Sequence, residues 1–434
     1  MQKQRCSLIL THALIAVLFS TTHVFAGSSG AFRIFAIDAE AMGKGGAFTA
    51  EADNPSAVFY NPAGTTQLKG AAHVSLGFST VQPFVDRTNA GAETQMRRDT
   101  FLIPSLFYVN DFGLDKVVFG LGASSNWGLG TEWAKDSFSR YVATKSEVEN
   151  MDSMLTVGYA LNDQWSLAVG GILDSSKLNK EKQIYQGTGA DGEGQVKGKD
   201  AGSLGFTLST LYKLNEQHQL GLLYRSEINL TYKGEVTAFG LNDSGPQPYF
   251  TIFGGTQYST KFMTDLTLPR SVALGYSYRP DDKWRFNFDL EWMDWSSVES
   301  EDLVFPDEPN ATRLAILDAL TKSDRDWNSV FSFGVGTEYA WNARTRIRGG
   351  YFYNPTPIPE ANFDTAVPTA DAHGINLGVG YSINDHATLD LAWTGMFYED
   401  WSITNNVGTA LGGDVDGEYE NFVNVMVATV GKRF

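Results

Sequence analysis

Along most of this chain apolar and polar residues alternate with a period of two. Trp284, Phe286, Phe288, Leu290 and Trp292 fall on one face of a segment whose other face carries Arg285, Asn287, Asp289 and Glu291. Val272, Leu274, Tyr276 and Tyr278 alternate with Ser271, Ala273, Gly275 and Ser277. The same pattern recurs through 344–353, 375–381 and 389–394, with Arg344, Arg346 and Arg348 on one polar face. Each such run predicts a strand with one apolar and one polar or small face. Trp and Tyr gather near the ends of the apolar faces, as in an interfacial girdle.

Connection lengths sharpen the prediction. Short polar turns occur at Asn110-Asp111, Leu161–Gln164, Leu214–Gln217, Pro280–Asp282, Trp341-Asn342 and Ile383–His386. Long connections lie between them, around Gly91, Asp136, Gly187–Gly198, Phe239–Gln257, Glu299–Lys322, Asn354–Ala370 and Thr404–Gly417. Strict alternation of tight turns and large loops marks an outer-membrane barrel, and these turns and loops imply about fourteen strands. The fold class expected is all-β: a fourteen-stranded antiparallel transmembrane β-barrel. Phe434, directly after the last strand, resembles the C-terminal aromatic of outer-membrane proteins, although Lys432 stands where an apolar residue is common.

The stretch from Gly27 to Gly70 breaks the pattern. Its glycines Gly43, Gly45 and Gly46 and its Asn54-Pro55 and Asn61-Pro62 steps exclude a strand or a long helix. Yet Phe32, Phe35, Phe48, Val58 and Tyr60 need burial. A compact, irregular, apolar segment of this kind must sit inside a container, and the strands that follow can form one.

Composition adds an address. Aromatics make up 13% of 434 residues while mean hydropathy is only −0.20, which is what alternating faces produce. Residues 1–26 read as a secretory signal, with Lys3 and Arg5, an apolar core from Leu8 to Phe19, and a small-residue site ending at Ala26. The single cysteine, Cys6, belongs to that segment, so disulfides and cysteine metal sites are not expected after it. Beyond Ala26 no apolar run reaches the roughly 18 residues of a helical span. The net charge of −17 becomes about −19 without Lys3 and Arg5, which disfavours nucleic acid as a partner.

Catalytic chemistry is sparse. His73, His218, His373 and His386 are scattered without metal-ligand spacing, and no Gly-x-Ser-x-Gly elbow is present. Gly187–Gly192 matches a dinucleotide pattern by letter, but in a polar glycine-rich loop rather than between strand and helix. Asp414, Asp416, Glu418 and Glu420 hint at a cation yet lack the usual calcium-loop spacing. Charged residues on inward faces (Arg225, Glu227, Arg270, Arg285, Asp289, Glu291, Arg344, Arg346, Arg348, Asp390) are expected to hold the inner segment. Lys177, Lys180 and Lys182, near the outer end of one strand, are candidate contacts for a ligand carboxylate. Phe239, Tyr249, Phe250, Ile252 and Phe253 form a candidate external hydrophobic groove.

Several short motifs occur in a telling order: Asn61-Pro62-Ala63, Ala123–Leu129 followed by Thr131-Glu132, and Leu223–Glu227 with Tyr232-Lys233-Gly234. Leu268-Pro269, Trp292–Trp295, Pro355–Pro359 and Val367-Pro368 complete the set. In these the chain resembles the FadL-type long-chain fatty acid transporters of Gram-negative outer membranes, with their aromatic-hydrocarbon-transporting relatives. The resemblance covers the whole chain after residue 26. It implies a hatch (27–70, with Asn61, Pro62, Ala63, Phe32, Phe35 and Phe48) inside a barrel (71–434). Ligand would be captured at the external loops, move to a pocket under the hatch, and leave sideways through a kink in the third strand at Asn126, Trp127 and Gly128. Lateral exit suits an apolar cargo: at about 0.8 kcal/mol per buried CH₂, a C16 chain gains on the order of 10 kcal/mol by avoiding water.

The function expected is therefore passive outer-membrane transport of long-chain fatty acids or similar hydrophobic molecules, without covalent chemistry, cofactor or metal. Monoaromatic hydrocarbon uptake on the same scaffold is the nearest rival; an outer-membrane lipid hydrolase or a non-specific porin is more distant. Expected partners are the hydrophobic ligand, outer-membrane lipid and lipopolysaccharide, with the chain a monomer.

Overall fold

A computed structural model describes residues 31–34, 36–187 and 189–434. The expected signal segment with Cys6, the start of the inner segment, and Phe35 lie outside the described residues. Nineteen strand segments form one sheet. Five barrel strands are each interrupted once, so the segments make fourteen antiparallel strands. These are β1 (His73–Asn89), β2 (Ala92–Gln95 and Phe101–Asn110), β3 (Val117–Ser124 and Gly128–Glu132), β4 (Lys145–Ala160) and β5 (Trp165–Ile184). Next come β6 (Gly192–Lys213), β7 (His218–Arg225 and Ile228–Phe239), β8 (Gln257–Leu268 and Ser271–Tyr278), β9 (Trp284–Met293) and β10 (Val330–Ala340). The last are β11 (Thr345–Asn354), β12 (Ala372–Asn384), β13 (Ala387–Tyr398 with Trp401–Ile403) and β14 (Gly417–Arg433). Pairing of β1 with β14, from His73↔Arg433 to Thr88↔Glu418, closes the barrel.

The period of two is realised as an apolar exterior. Phe286, Phe288, Ile347 and Leu391 are exposed on the outside, whereas Asn287, Asp289, Arg348 and Asp390 on the same strands are buried within. In water such an exterior would be an aggregation surface; in lipid it is the solvated face. Aromatics ring both ends of this apolar band. Trp165 stacks on Tyr212 at 4.3 Å and Trp284 lies 4.6 Å from Tyr339 near the short turns. Phe397 lies 5.1 Å from Phe422 toward the long loops. No described helix is long and apolar enough to cross a membrane; the strands are what cross.

The described residues between 31 and 70 occupy the lumen. Their elements are α1 (Ala39–Met42), α2 (Ala57–Tyr60) and a 3₁₀ turn (Pro62–Gln67). Asp38 caps α1 by accepting from Ala41 N at 3.1 Å, and Asn61-Pro62 ends α2 because proline cannot continue it. Apart from one short backbone bridge to β3, backbone groups of the segment that face the wall bond to wall side chains, as buried polar groups require. Ser105 Oγ donates to Ile37 O at 2.8 Å, Ala39 N to Thr429 Oγ1 at 3.0 Å, and Gln219 Nε2 to Ala50 O at 2.6 Å. Asp289 accepts from Phe48 N and Thr49 N at 3.0 and 2.8 Å. Charges complete the docking. Arg285 pairs with Glu51 and with Asp53, Arg348 with Glu40 at 3.2 Å, and Glu291 with Arg33.

Five of the inward charges expected to hold this segment form no hydrogen bond or ion pair with its described residues; among them Arg346 pairs with Glu338 at 3.1 Å and Asp390 with Arg348, all on the wall. Glu227 is exposed, because it lies in the interruption of β7 where the alternation lapses. Arg270, in the matching interruption of β8, pairs with Asp294 at 2.8 Å, and Arg344 lines the hydrated mouth at the short-turn end.

The wall approaches the segment through glycine. A Cβ at Gly336 on β10 would overlap Lys44 O, and one at Gly221 on β7 would overlap Thr49 O. Replacing Gly336 by Val is therefore expected to lower stability by about 1–3 kcal/mol, as overpacking does. Gly349→Ala on β11, whose Cβ would meet only Asn376 O at 4.0 Å, serves as the control. Thermal unfolding in detergent checks this; equal melting of the two variants would count against tight docking.

Candidate functional site: two cavities and a break in the wall

The outer cavity, about 480 Å³, lies among the upper ends of β4–β7 and the long loops. These loops include α3 (Tyr249–Phe253) and α4 (Ala311–Thr321). Its lining is largely apolar, with Ile184, Val236, Leu241, Tyr249, Phe253, Leu303 and Leu317, and its size lies in the range of small-molecule sites. Of the residues expected to form an external groove, Tyr249 and Phe253 line it. Ile252 packs against the adjoining core, while Phe239 and Phe250 are exposed and do not line it.

Its charges are unequal. Lys180 pairs with Glu301, and Arg325 bridges Glu301 at 3.1 Å and Asp364 at 2.7 Å. Burial alone would raise the Glu301 carboxyl, but Lys180 and Arg325 outweigh it and hold it at about 2. Lys182 also lines the cavity, yet its ammonium donates only to Leu320 O, at 2.6 Å, in the last turn of α4. Among the described residues no carboxylate lies within salt-bridge distance of it. Lys177 does not line the cavity and pairs with Glu149 at 3.0 Å on the exposed face. Sequence placed three lysines together; the pairing of β5 with its neighbours and the loops above separates their roles.

Below the outer cavity lies an aromatic cluster. Phe32 of the inner segment contacts Trp295 at 5.1 Å, Trp327 at 5.8 Å and Trp127 at 5.9 Å, and Trp295 lies 5.4 Å from Trp327. Arg325, from the outer cavity, stacks over Trp327 at 5.8 Å, and Trp295 lines a second, inner cavity of about 110 Å³. The cluster thus separates the two cavities. Trp295 and Trp327 were not singled out from sequence as site residues, although Trp295 has the inward parity of Met293, an unusual place for tryptophan.

Asn61, Pro62 and Ala63 serve as a docking corner. The Asn61 side chain accepts from Ala63 N at 3.1 Å and donates to Thr49 O and to Thr210 O, at 2.7 and 3.1 Å. Ala63 N donates to Ser209 Oγ at 3.0 Å. Phe48 is fully buried against Tyr60, ring centroids 5.5 Å apart.

The third strand is broken at Ser125–Trp127. The ladder between β2 and β3 runs from Asn110↔Phe119 to Ser105↔Ser124 and stops. Above it the strands are rejoined by Arg97 N donating to Glu132 O at 2.8 Å. In the gap β3 turns inward and pairs with the inner segment instead. Ile34 N donates to Asn126 O and Gly128 N to Phe32 O, both at 2.8 Å. Ser125 Oγ donates to Asn150 O at 2.5 Å, and the Asn126 amide donates to Asp152. Residues 364–370 of a long loop fold against the upper part of β3. There Thr131 Oγ1 donates to Ala366 O and Trp133 Nε1 to Thr365 O, both at 3.0 Å.

The other sequence motifs carry less. Gly187–Gly192 joins β5 to β6, so a strand rather than a helix follows it. The acidic stretch does not converge: Asp416 Oδ1 caps Asn405 N at 2.9 Å, and Arg87 lies 3.7 Å from Asp414. Among the described residues the one close carboxylate triplet is Glu40, Glu51 and Asp53, which Lys44, Arg285 and Arg348 neutralise.

A closed fourteen-stranded barrel with a lipid-facing exterior, an occupied lumen and apolar cavities defines an outer-membrane transport protein for hydrophobic substrates. The family model described as outer membrane protein transport protein (OMPP1/FadL/TodX) matches residues 19–434, and the chain belongs to this family of the Gram-negative outer membrane. It is 23% identical to the long-chain fatty acid transport protein of Escherichia coli O6:H1, covering 93% of this chain and 94% of that one. It is 24% identical to the Salmonella typhi protein of the same name, over 88% and 91% of the two chains. Among solved structures it is similar to a Pseudomonas aeruginosa FadL homologue, with a TM-score of 0.80 at 18% identity over 93% of this chain and 99% of that one. The Pseudomonas putida toluene transporter TodX gives 0.69 at 17% identity over 94% and 99%. These structural likenesses concern the fold.

Proposed function

We propose that this chain takes up long-chain fatty acids by passive diffusion. The carboxylate is captured at Lys182 in the outer cavity, the tail passes the aromatic cluster, and the ligand leaves through the β2–β3 break into lipid. Residues 31–70 act as the hatch that prevents an open aqueous pore. The observation that carries the reading is Lys182, a cation in an apolar cavity with a carbonyl but no carboxylate as partner. A monoaromatic hydrocarbon offers such a group only a cation–π contact; a fatty acid offers a charge-assisted hydrogen bond and a chain for the apolar walls.

Equilibrium binding of oleate to Lys182→Met should weaken by about 10- to 100-fold, the worth of a charge-assisted bond, while binding of oleyl alcohol stays unchanged and Lys182→Arg retains most oleate affinity. In a strain lacking its own transporter, this chain should restore growth on oleate and not on toluene. The reverse growth pattern, or equal loss of acid and alcohol binding, would sink the fatty-acid reading.

A further inference from the structure

We propose that the inner cavity is an anion station, where Arg225 receives the ligand's carboxylate between its release from Lys182 and its exit at the wall break. This deepens the fatty-acid reading and rests on it.

Arg225 ends the lower segment of β7 and is 6% exposed. Its Nη2 donates to Phe59 O at 3.2 Å and its guanidinium lies 4.7 Å from the Phe59 ring centroid, while Nη1 has no hydrogen-bond partner. The buried arginines Arg87, Arg325 and Arg348 each have a carboxylate within 4.0 Å, and so do Arg33 and Arg285 on the inner segment and the wall facing it. Arg225 has none. Burying a guanidinium unpaired is costly, and an arginine so placed is ready to hold an incoming carboxylate in bidentate fashion.

Its surroundings fit that use. Arg225 lines the cavity with Phe59, Tyr60 and Trp295, which offer apolar surface beside the charge. Glu291 shares the cavity but is neutralised by Arg33; Asp289 also lines it, with one oxygen held by the Phe48 and Thr49 amides and the other unpartnered. The volume of about 110 Å³ admits a head group and the first carbons of a tail, not a whole chain. Arg33 forms both part of the cavity lining and the backbone bridge to Trp127 at the break, so one residue separates this station from the exit.

The test uses full-length protein in outer-membrane vesicles, with oleate and methyl oleate as probes. Arg225→Met should leave initial capture of oleate unchanged but slow its transfer to the lipid by about tenfold or more, with methyl oleate transfer unaltered. Arg225→Lys should restore part of the oleate rate. Arg225→Gln, which keeps a donor for Phe59 O, replaces the Met variant if that one fails to assemble. Equal slowing of acid and ester would assign Arg225 a packing role and overturn the proposal, as would unchanged transfer of both. If Lys182→Met loses oleate capture while Arg225→Met transfers normally, the station alone fails. If the unmodified protein handles acid and ester alike, the fatty-acid reading fails and the station with it.

Discussion

Removing one residue from each strand that borders the wall break is expected to abolish the proposed fatty-acid uptake while the proposed capture at the outer loops persists. Both strands carry a surplus. Between Asp86↔Gln95 and Val81↔Phe101, β2 uses six residue steps where β1 uses five. Between Ser124↔Asp152 and Gly128↔Glu149, β3 uses four where β4 uses three. An extra residue bends its strand and leaves backbone groups unpaired. Two facing surpluses let both edges part without disturbing the register to either side. Deleting Thr100 and Asn126 together restores equal counts, so the ladder that stops at Ser105↔Ser124 can continue upward and seal the wall. Oleate uptake by cells carrying the double deletion should fall to the level of cells without the protein. Binding to the purified variant, checked for assembly by its heat-modifiable migration, should remain. Undiminished uptake would refute exit at this place.

The second large effect concerns the lumen. Deleting residues 31–70 is expected to leave an open aqueous pore that conducts ions far better than the intact protein and has lost the proposed selectivity for fatty acids. The outer face and the closing β1–β14 ladder do not depend on the segment, so the barrel keeps two main supports, lipid contact and the ladder that closes the ring. What the deletion uncovers is hydrophilic: Arg285, Asp289, Glu291 and Arg348 would lose partners on the segment and face water, next to wall glycines such as Gly221 and Gly336. Planar-bilayer conductance is the measurement. A deletion protein that assembles yet stays closed would show that the loops, not the inner segment, block the lumen.

Much of this architecture was legible in the sequence because it rests on local regularities. Alternation at Trp284–Trp292 separated the two faces of β9, and the spacing of short turns and long loops turned the apolar face toward lipid and led to fourteen strands. The glycines and prolines before Gly70 marked a segment unable to join the sheet. What stayed hidden depends on distant pairings. That Lys180 and Lys182 differ follows from Glu301 and Leu320, more than a hundred positions away, meeting one strand end. The aromatic cluster joins Phe32, Trp127, Trp295 and Trp327 from four parts of the chain, and no periodicity announces it. Glu227 and Arg270 were misplaced for a simpler reason: parity counting fails where a strand is interrupted.

The way the lumen is filled dictates an order of assembly. Residues 31–70 bond to wall strands spread around the whole circumference, from Ser105 on β2 through Ser209 on β6 and Asp289 on β9 to Thr429 on β14. Glycines leave almost no clearance between segment and wall, so the segment cannot be threaded into a finished ring. The growing sheet must curl around it, and the last strand, arriving at the first, fastens both the ring and the Ala39–Thr429 bond together. In the intact protein the segment is thus in place before the ring closes.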